Sequence, residues 1–157
     1  MIDPGGPATA AELDAVGDLV ATWLGHQLEE NPAVQAVERD TGGGERRWFV
    51  RMAGEEKSVF TVWFHLQQRT LHIETYVMPA PVERSGELYE YLLRRNLKLH
   101  GLAFAVGAED AVFLVGRLPV SWITEVELDR VLGSFYAAVE QVFRPAMRIG
   151  FGSRFTG

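Results

Sequence analysis

A chain of 157 residues without a cysteine has room for one self-sufficient core, burying about 70% of the surface it exposes when unfolded. It can carry no disulfide, thiolate nucleophile or Cys-held metal. Its 47% hydrophobic and 23% charged residues are the composition of a folded domain, while a formal charge of -6 repels nucleic acid and anionic membrane.

Thr9 to Glu12 has capping-box spacing, and Leu13, Val16, Val20, Trp23, Leu24 and Leu28 follow at helical intervals as far as Asn31-Pro32. A first amphipathic helix is therefore predicted. Before it, Pro4, Gly5, Gly6 and Pro7 make residues 1–8 a flexible lead-in, leaving 9–157 as the domain. Val34 to Arg39 alternates too poorly to be assigned. Beyond Gly42-Gly43-Gly44 the apolar period becomes two, through Arg47–Ala53, Ser58–Leu66 and Thr70–Val77, with turns at Gly54-Glu55-Glu56 and Gln68-Arg69. This predicts an antiparallel meander.

Pro79 and Pro81 stop the third strand, and Ser85 is placed to cap a helix carrying Leu88, Leu92, Leu93, Leu97 and Leu99. Its wide apolar stripe predicts a central helix. Gly101 ends it, and Leu102–Val106 with Ala111–Leu118 form a second hairpin, apolar on both faces and expected to be covered on both. A second capping box, Thr124 to Glu127, opens a last helix that runs to Pro145, after which Met147, Ile149, Phe151 and Phe155 are expected to pack back on the body. The fold class is thus α+β, a single domain of order α-βββ-α-ββ-α, with helices packed on an antiparallel sheet. No apolar run nears the roughly 18 residues of a bilayer span, and no basic-then-apolar leader opens the chain, so a cytoplasmic location is expected.

Leu88 to Asn96, Ala103 to Val106, Gly116-Arg117-Leu118-Pro119, Leu128-Asp129-Arg130 and Ile149-Gly150-Phe151 resemble actinobacterial YbjN-domain proteins. The order of elements resembles the type III secretion chaperone-like fold. The likeness covers roughly residues 10 to 155 and is densest from Leu88 onward. It implies a binding protein of a family associated with sensory transduction or motility, in a fold otherwise known for small dimeric chaperones. It brings no catalytic or ligand residues to carry onto this chain.

If the two meander turns set the register, Trp48, Val50, Met52, Phe60, Val62, Phe64, Leu66, Leu71 and Ile73 share the core face. The opposite face then carries Phe49, Arg51, Thr61, Trp63, Glu74 and Tyr76 in the rows Phe49-Trp63-Glu74 and Arg51-Thr61-Tyr76. Aromatics interleaved with polar groups suit a protein interface. A client, a second copy of the chain, or the apolar C-terminal tail are the three covers open to it. His65 and His72 should face one another there, but two imidazoles without a third ligand at a defined spacing do not make a metal site.

Other constellations have simpler structural roles. Glu87 and Glu90 belong in the first turns of a helix and Glu109-Asp110 at a hairpin tip. No serine sits in a G-x-S-x-G elbow, and Gly150-Phe151-Gly152 lacks the lysine and following helix of a phosphate loop. Arg94, Arg95, Arg117 and Arg148 could form a cationic rim for an anionic ligand, against the simpler expectation of surface ion pairs. The sequence therefore points to a non-enzymatic protein-binding module, chaperone-like or regulatory, acting on a client or as a homodimer, with no cofactor. The alternative is a small-ligand sensor with a pocket between helices and sheet.

Overall fold

The computed structural model describes residues 6–40 and 42–155. Most of the lead-in lies outside them. Ala8, within them, is buried, and its N–H donates to the Gln68 carbonyl at 2.8 Å. Helix α1 spans Ala10–Glu30, with the capping box complete: Thr9 accepts from the Glu12 amide and the Glu12 carboxylate accepts from the Thr9 amide. Strands β1 (Val34–Asp40), β2 (Arg46–Ala53), β3 (Val59–Leu66) and β4 (Thr70–Met78) lead to α2 (Ser85–Asn96). Then come β5 (Leu102–Val106), β6 (Val112–Pro119) and α3 (Glu125–Phe151).

All six strands form one antiparallel sheet in the order β1-β2-β3-β4-β6-β5. The sheet thus has one strand more than the sequence reading assigned. The segment left unassigned is the edge strand β1, whose pairing with β2 slips at a bulge between Val34 and Ala36. The bulge breaks the period of two on which a sequence reading depends. Every residue expected on the core face of the meander is buried, from Trp48 to Ile73. A second bulge, between Tyr76 and Met78, lets Val77 and Met78 both enter the core.

Helices α1 and α3 cover one side of this sheet. Gly17 of α1 faces the Trp48 ring, and Trp23 meets Phe64 edge-on at 5.7 Å. The buried Trp23 indole N–H donates to Asp129 of α3 at 2.7 Å, tying the two helices together. Phe135 of α3 is fully buried over Gly116, where a Cβ would lie 3.3 Å from its ring. Glu140 reaches the turn between β2 and β3 and accepts from three successive backbone amides, those of Glu55, Glu56 (2.9 Å) and Lys57 (3.1 Å). Lys57 itself lies over the rings of Tyr76 and Phe143 and donates to the Val77 carbonyl at 2.7 Å. Burial lowers its ammonium pKa from the ordinary value.

Four expectations need correction. Helix α3 does not stop at Pro145 but continues to Phe151, because Val142, Ala146 and Gly150 extend its buried stripe at four-residue intervals. Burial of that last stretch offsets the roughly 3 kcal/mol that an interior proline costs. The tail expected beyond Pro145 is therefore mostly helix, packed on the core side, with Phe155 against Phe143 at 6.5 Å. Helix α2 is not central: Leu88 and Leu92 are buried, but Leu93 and Leu97 are 66% and 84% exposed. Ser85 does not cap it; that position falls to Arg84, in a left-handed conformation (φ 51) with its guanidinium on Glu87. The second hairpin is covered on one side alone, with Ala103, Ala105, Phe113 and Val115 half-buried on the other.

At the sheet's far edge one side chain of α2 hydrogen-bonds the outer border of β5. Asn96 accepts from the Phe104 amide at 2.7 Å and donates to the Phe104 carbonyl at 3.3 Å.

Candidate functional site

Strand alternation assigns the other side of the sheet a single continuous surface. Phe49 pairs with Trp63, Trp63 with Glu74, and Glu74 with Val115. One step along, Arg51 pairs with Thr61, and Tyr76 with Phe113. The structure forms the expected row Phe49-Trp63-Glu74 in full; of the second row it pairs Arg51 with Thr61, while the β3–β4 register runs only to Val62 opposite Thr75, one residue short of Thr61 opposite Tyr76. It adds Phe113 and Val115 from β6, which no local pattern could have placed there, because the pairing of β4 with β6 is a tertiary event. No helix lies on this side, and the C-terminal residues that were one of its three possible covers pack on the opposite side, among the described residues.

The surface is built from ring pairs. Phe49 and Trp63 stand 4.8 Å apart and tilted, while Tyr76 and Phe113 meet edge-on at 5.7 Å. Trp63 is 38% exposed and Tyr76 43%, with the Lys57 ammonium 5.2 Å over the Tyr76 ring, and together the rings make a contiguous exposed patch. Trp63, Tyr76 and Phe113 line a cleft of about 290 Å³ together with Glu74, His65, His72 and Arg47. His65 and His72 pair across β3 and β4. His65 lies 3.8 Å from Glu45 and His72 3.7 Å from Glu74. Burial, then the charge of Arg47 and the neighbouring His72, lower the His65 pKa, against a smaller opposing pull from Glu74. No metal-sized group of three or more His, Cys, Asp or Glu side chains occurs among the described residues.

The four arginines are not brought together as a rim. Arg94 pairs with Glu90 on its own helix at 3.6 Å, and Arg95 donates to Gln141 at 2.5 Å. Arg148 is exposed in the last turn of α3. Arg117 projects from the open side of the sheet, opposite His72, because its neighbour Gly116 faces α3. Between helices and sheet, where a sensor pocket would lie, stand the fully buried side chains of Trp23, Trp48, Phe64 and Phe135.

Residues 13–146 match a family model described as "YbjN: Putative bacterial sensory transduction regulator". The chain belongs to the YbjN family. An uncharacterized protein of Mycobacterium tuberculosis is 30% identical to this YbjN chain over 112 residues, 71% of the chain and 61% of the relative. An uncharacterized Mycobacterium leprae protein is 30% identical over 128 residues, 82% of the chain and 70% of the relative. The chain therefore spans about three fifths of the length of the Mycobacterium tuberculosis relative. Among solved structures, the YbjN fold resembles the Yersinia pestis type III secretion chaperone SycH, determined in complex with a stable fragment of YscM2. The TM-score is 0.52 at 18% identity, covering 83% of this chain and 98% of that one. A chain of the ExsC-ExsE complex gives a TM-score of 0.57 at 17% identity, covering 83% and 95%. The YbjN domain thus has the fold of type III secretion chaperones, and none of its helices is long and apolar enough to cross a membrane among the described residues.

Proposed function

We propose that this YbjN domain is a non-enzymatic protein-binding module, a chaperone-like or regulatory adaptor, that holds a partner protein on the open side of its sheet. The observation that carries the reading is the uncovered aromatic surface of Phe49, Trp63, Tyr76 and Phe113. Exposed Trp and Tyr beside Arg51 and Glu74 have the composition of an interface centre, where a few rings supply most of the binding energy. Both solved neighbours were determined with protein partners, which supports the same reading. The test is affinity capture from the native host with wild type and a Phe49→Asp, Trp63→Asp double variant, both first shown to fold. Recovery of the specific partner is expected to fall at least about tenfold, the effect of losing about 1.4 kcal/mol. Equal recovery by both proteins overturns the reading.

The adaptor acts as a homodimer through a second, smaller strip formed by Leu93, Leu97 and Val106, which are 66%, 84% and 51% exposed. Glu90 and Arg94 flank the strip one turn apart. Two copies of α2 packed antiparallel would set each charge against its opposite on the second copy, as a two-fold interface requires. Light scattering is expected to give a dimer mass for wild type and a monomer mass for Leu93→Asp, Leu97→Asp. A monomeric wild type removes this part of the proposal.

A further inference from the structure

Glu74 stands in the middle of the open surface, on the strand flanked by β3 and β6. Trp63 is its cross-strand neighbour on one side and Val115 on the other, while His72 and Tyr76 precede and follow it on the same face of β4. Its side chain is 42% exposed, and its ion-pair contact is His72 at 3.7 Å, an imidazole and not a fixed cation. The guanidinium that shares the cleft, Arg47, is taken by Glu45. Arg117, diagonal to Glu74 on β6, makes no ion pair with it among the described contacts.

We propose that this cleft receives an arginine side chain presented by the bound protein, with Trp63 and Phe113 supplying ring faces and Glu74 the counter-charge, while Tyr76, already under the Lys57 ammonium at 5.2 Å, walls the cleft. The proposal rests on the protein-binding reading above. Ring faces carry the negative end of an aromatic quadrupole and attract a cation lying over them. A carboxylate among them adds a charge-assisted hydrogen bond, and a planar guanidinium can stack on a ring while forking onto that carboxylate, which an ammonium cannot. The cleft, at about 290 Å³, suits a side-chain head group, since cofactor and drug sites run from about 300 to 1,000 Å³. The net charge of -6 also favours a cationic partner.

The probe is N-acetyl-arginine amide, titrated against N-acetyl-citrulline amide, its neutral near-isostere. The readout is the indole N–H resonance of Trp63, assigned among the four tryptophans with Trp63→Phe. A saturable shift with the arginine probe is expected, at least about tenfold weaker for citrulline and weakened by the same factor in Glu74→Gln. Equal binding of the two probes, or no saturable shift of Trp63, overturns the proposal. The capture experiment separates the two readings. If Phe49→Asp, Trp63→Asp loses the partner while Glu74→Gln keeps it and the probes do not discriminate, the surface binds protein but not through a cation. If neither variant changes recovery, the surface reading falls and this one with it.

Discussion

Phe135→Ala is expected to lower the unfolding free energy by about 3–5 kcal/mol, the cost of emptying a buried phenylalanine site. The ring is fully buried and lies where Gly116 leaves room in β6. A glycine in a strand interior marks such a close approach. The void would open between the sheet and α3, the longest helix, and neither element can move to close it. The sheet is fixed by pairing on both sides of β6, and α3 is held at Asp129 by Trp23 and near its end by Gly150 against Pro81, Met78 and Leu88. Domains of this kind are stable by about 5–15 kcal/mol, so the variant loses a third or more of its margin. Urea unfolding at 25 °C measures the loss, and a value below about 1.5 kcal/mol would show that the site collapses without a void.

Glu140→Ala is expected to cost about 2 kcal/mol. Hydrogen bonds to a charged group contribute about 1.5–3 kcal/mol each where water is excluded, and here three amides converge on one carboxylate at a largely exposed turn, which reduces the sum. Glu140→Gln keeps an acceptor without the charge and should fall between alanine and wild type. Gly54 belongs to the same joint: a Cβ there would drive into the Lys57 carbonyl and the Glu140 carboxylate, so Gly54→Ala should destabilise, and in the Glu140→Ala background the carboxylate clash is lost while the backbone clash with Lys57 remains, so the two costs should add only in part. Faster hydrogen exchange at the amides of residues 55–57 would accompany the loss in Glu140→Ala. Stability within about 0.5 kcal/mol of wild type, the ordinary scatter of surface changes, would show that water replaces the carboxylate without penalty.

What the sequence made legible follows from where each signal resides. The core face of the meander could be read because turn positions set register and a period of two then sorts every side chain. Strand β1 could not, since a bulge spoils that period and its burial is confined to Val34. The end of α3 is masked in the sequence by Pro145, a local stop signal, although the spacing of Val142, Ala146 and Gly150 carries the buried stripe past it. Phe113 and Val115 escaped the candidate site because the strand order that sets β6 beside β4 has no local signature. The residues that carried the family resemblance turn out to be joints. Asn96 grips Phe104, Gly116 seats Phe135, Asp129 takes the Trp23 indole, and Gly150 sits against Pro81 with its carbonyl accepting from Val82 and Glu83. Such a signature identifies a fold well and is silent about chemistry, which is why the family was readable and a partner was not.

The grip of Asn96 on Phe104 gives the sheet a direction. A bare edge strand offers amides and carbonyls to any chain that arrives extended, and is thereby an entry point for aggregation. At β5 a side-chain amide presents the donor and acceptor that a seventh strand would present, so a helix stands in for that strand over one residue. Growth of the sheet from this end would first have to evict Asn96. At the opposite end β1 has no strand beyond it among the described residues, its register is already broken at Val34, and Gln35, Glu38 and Arg39 are exposed along it. An intruding strand therefore meets a plug at one border and a kinked, charged margin at the other, which leaves the broad side of the sheet as the surface open to a visitor.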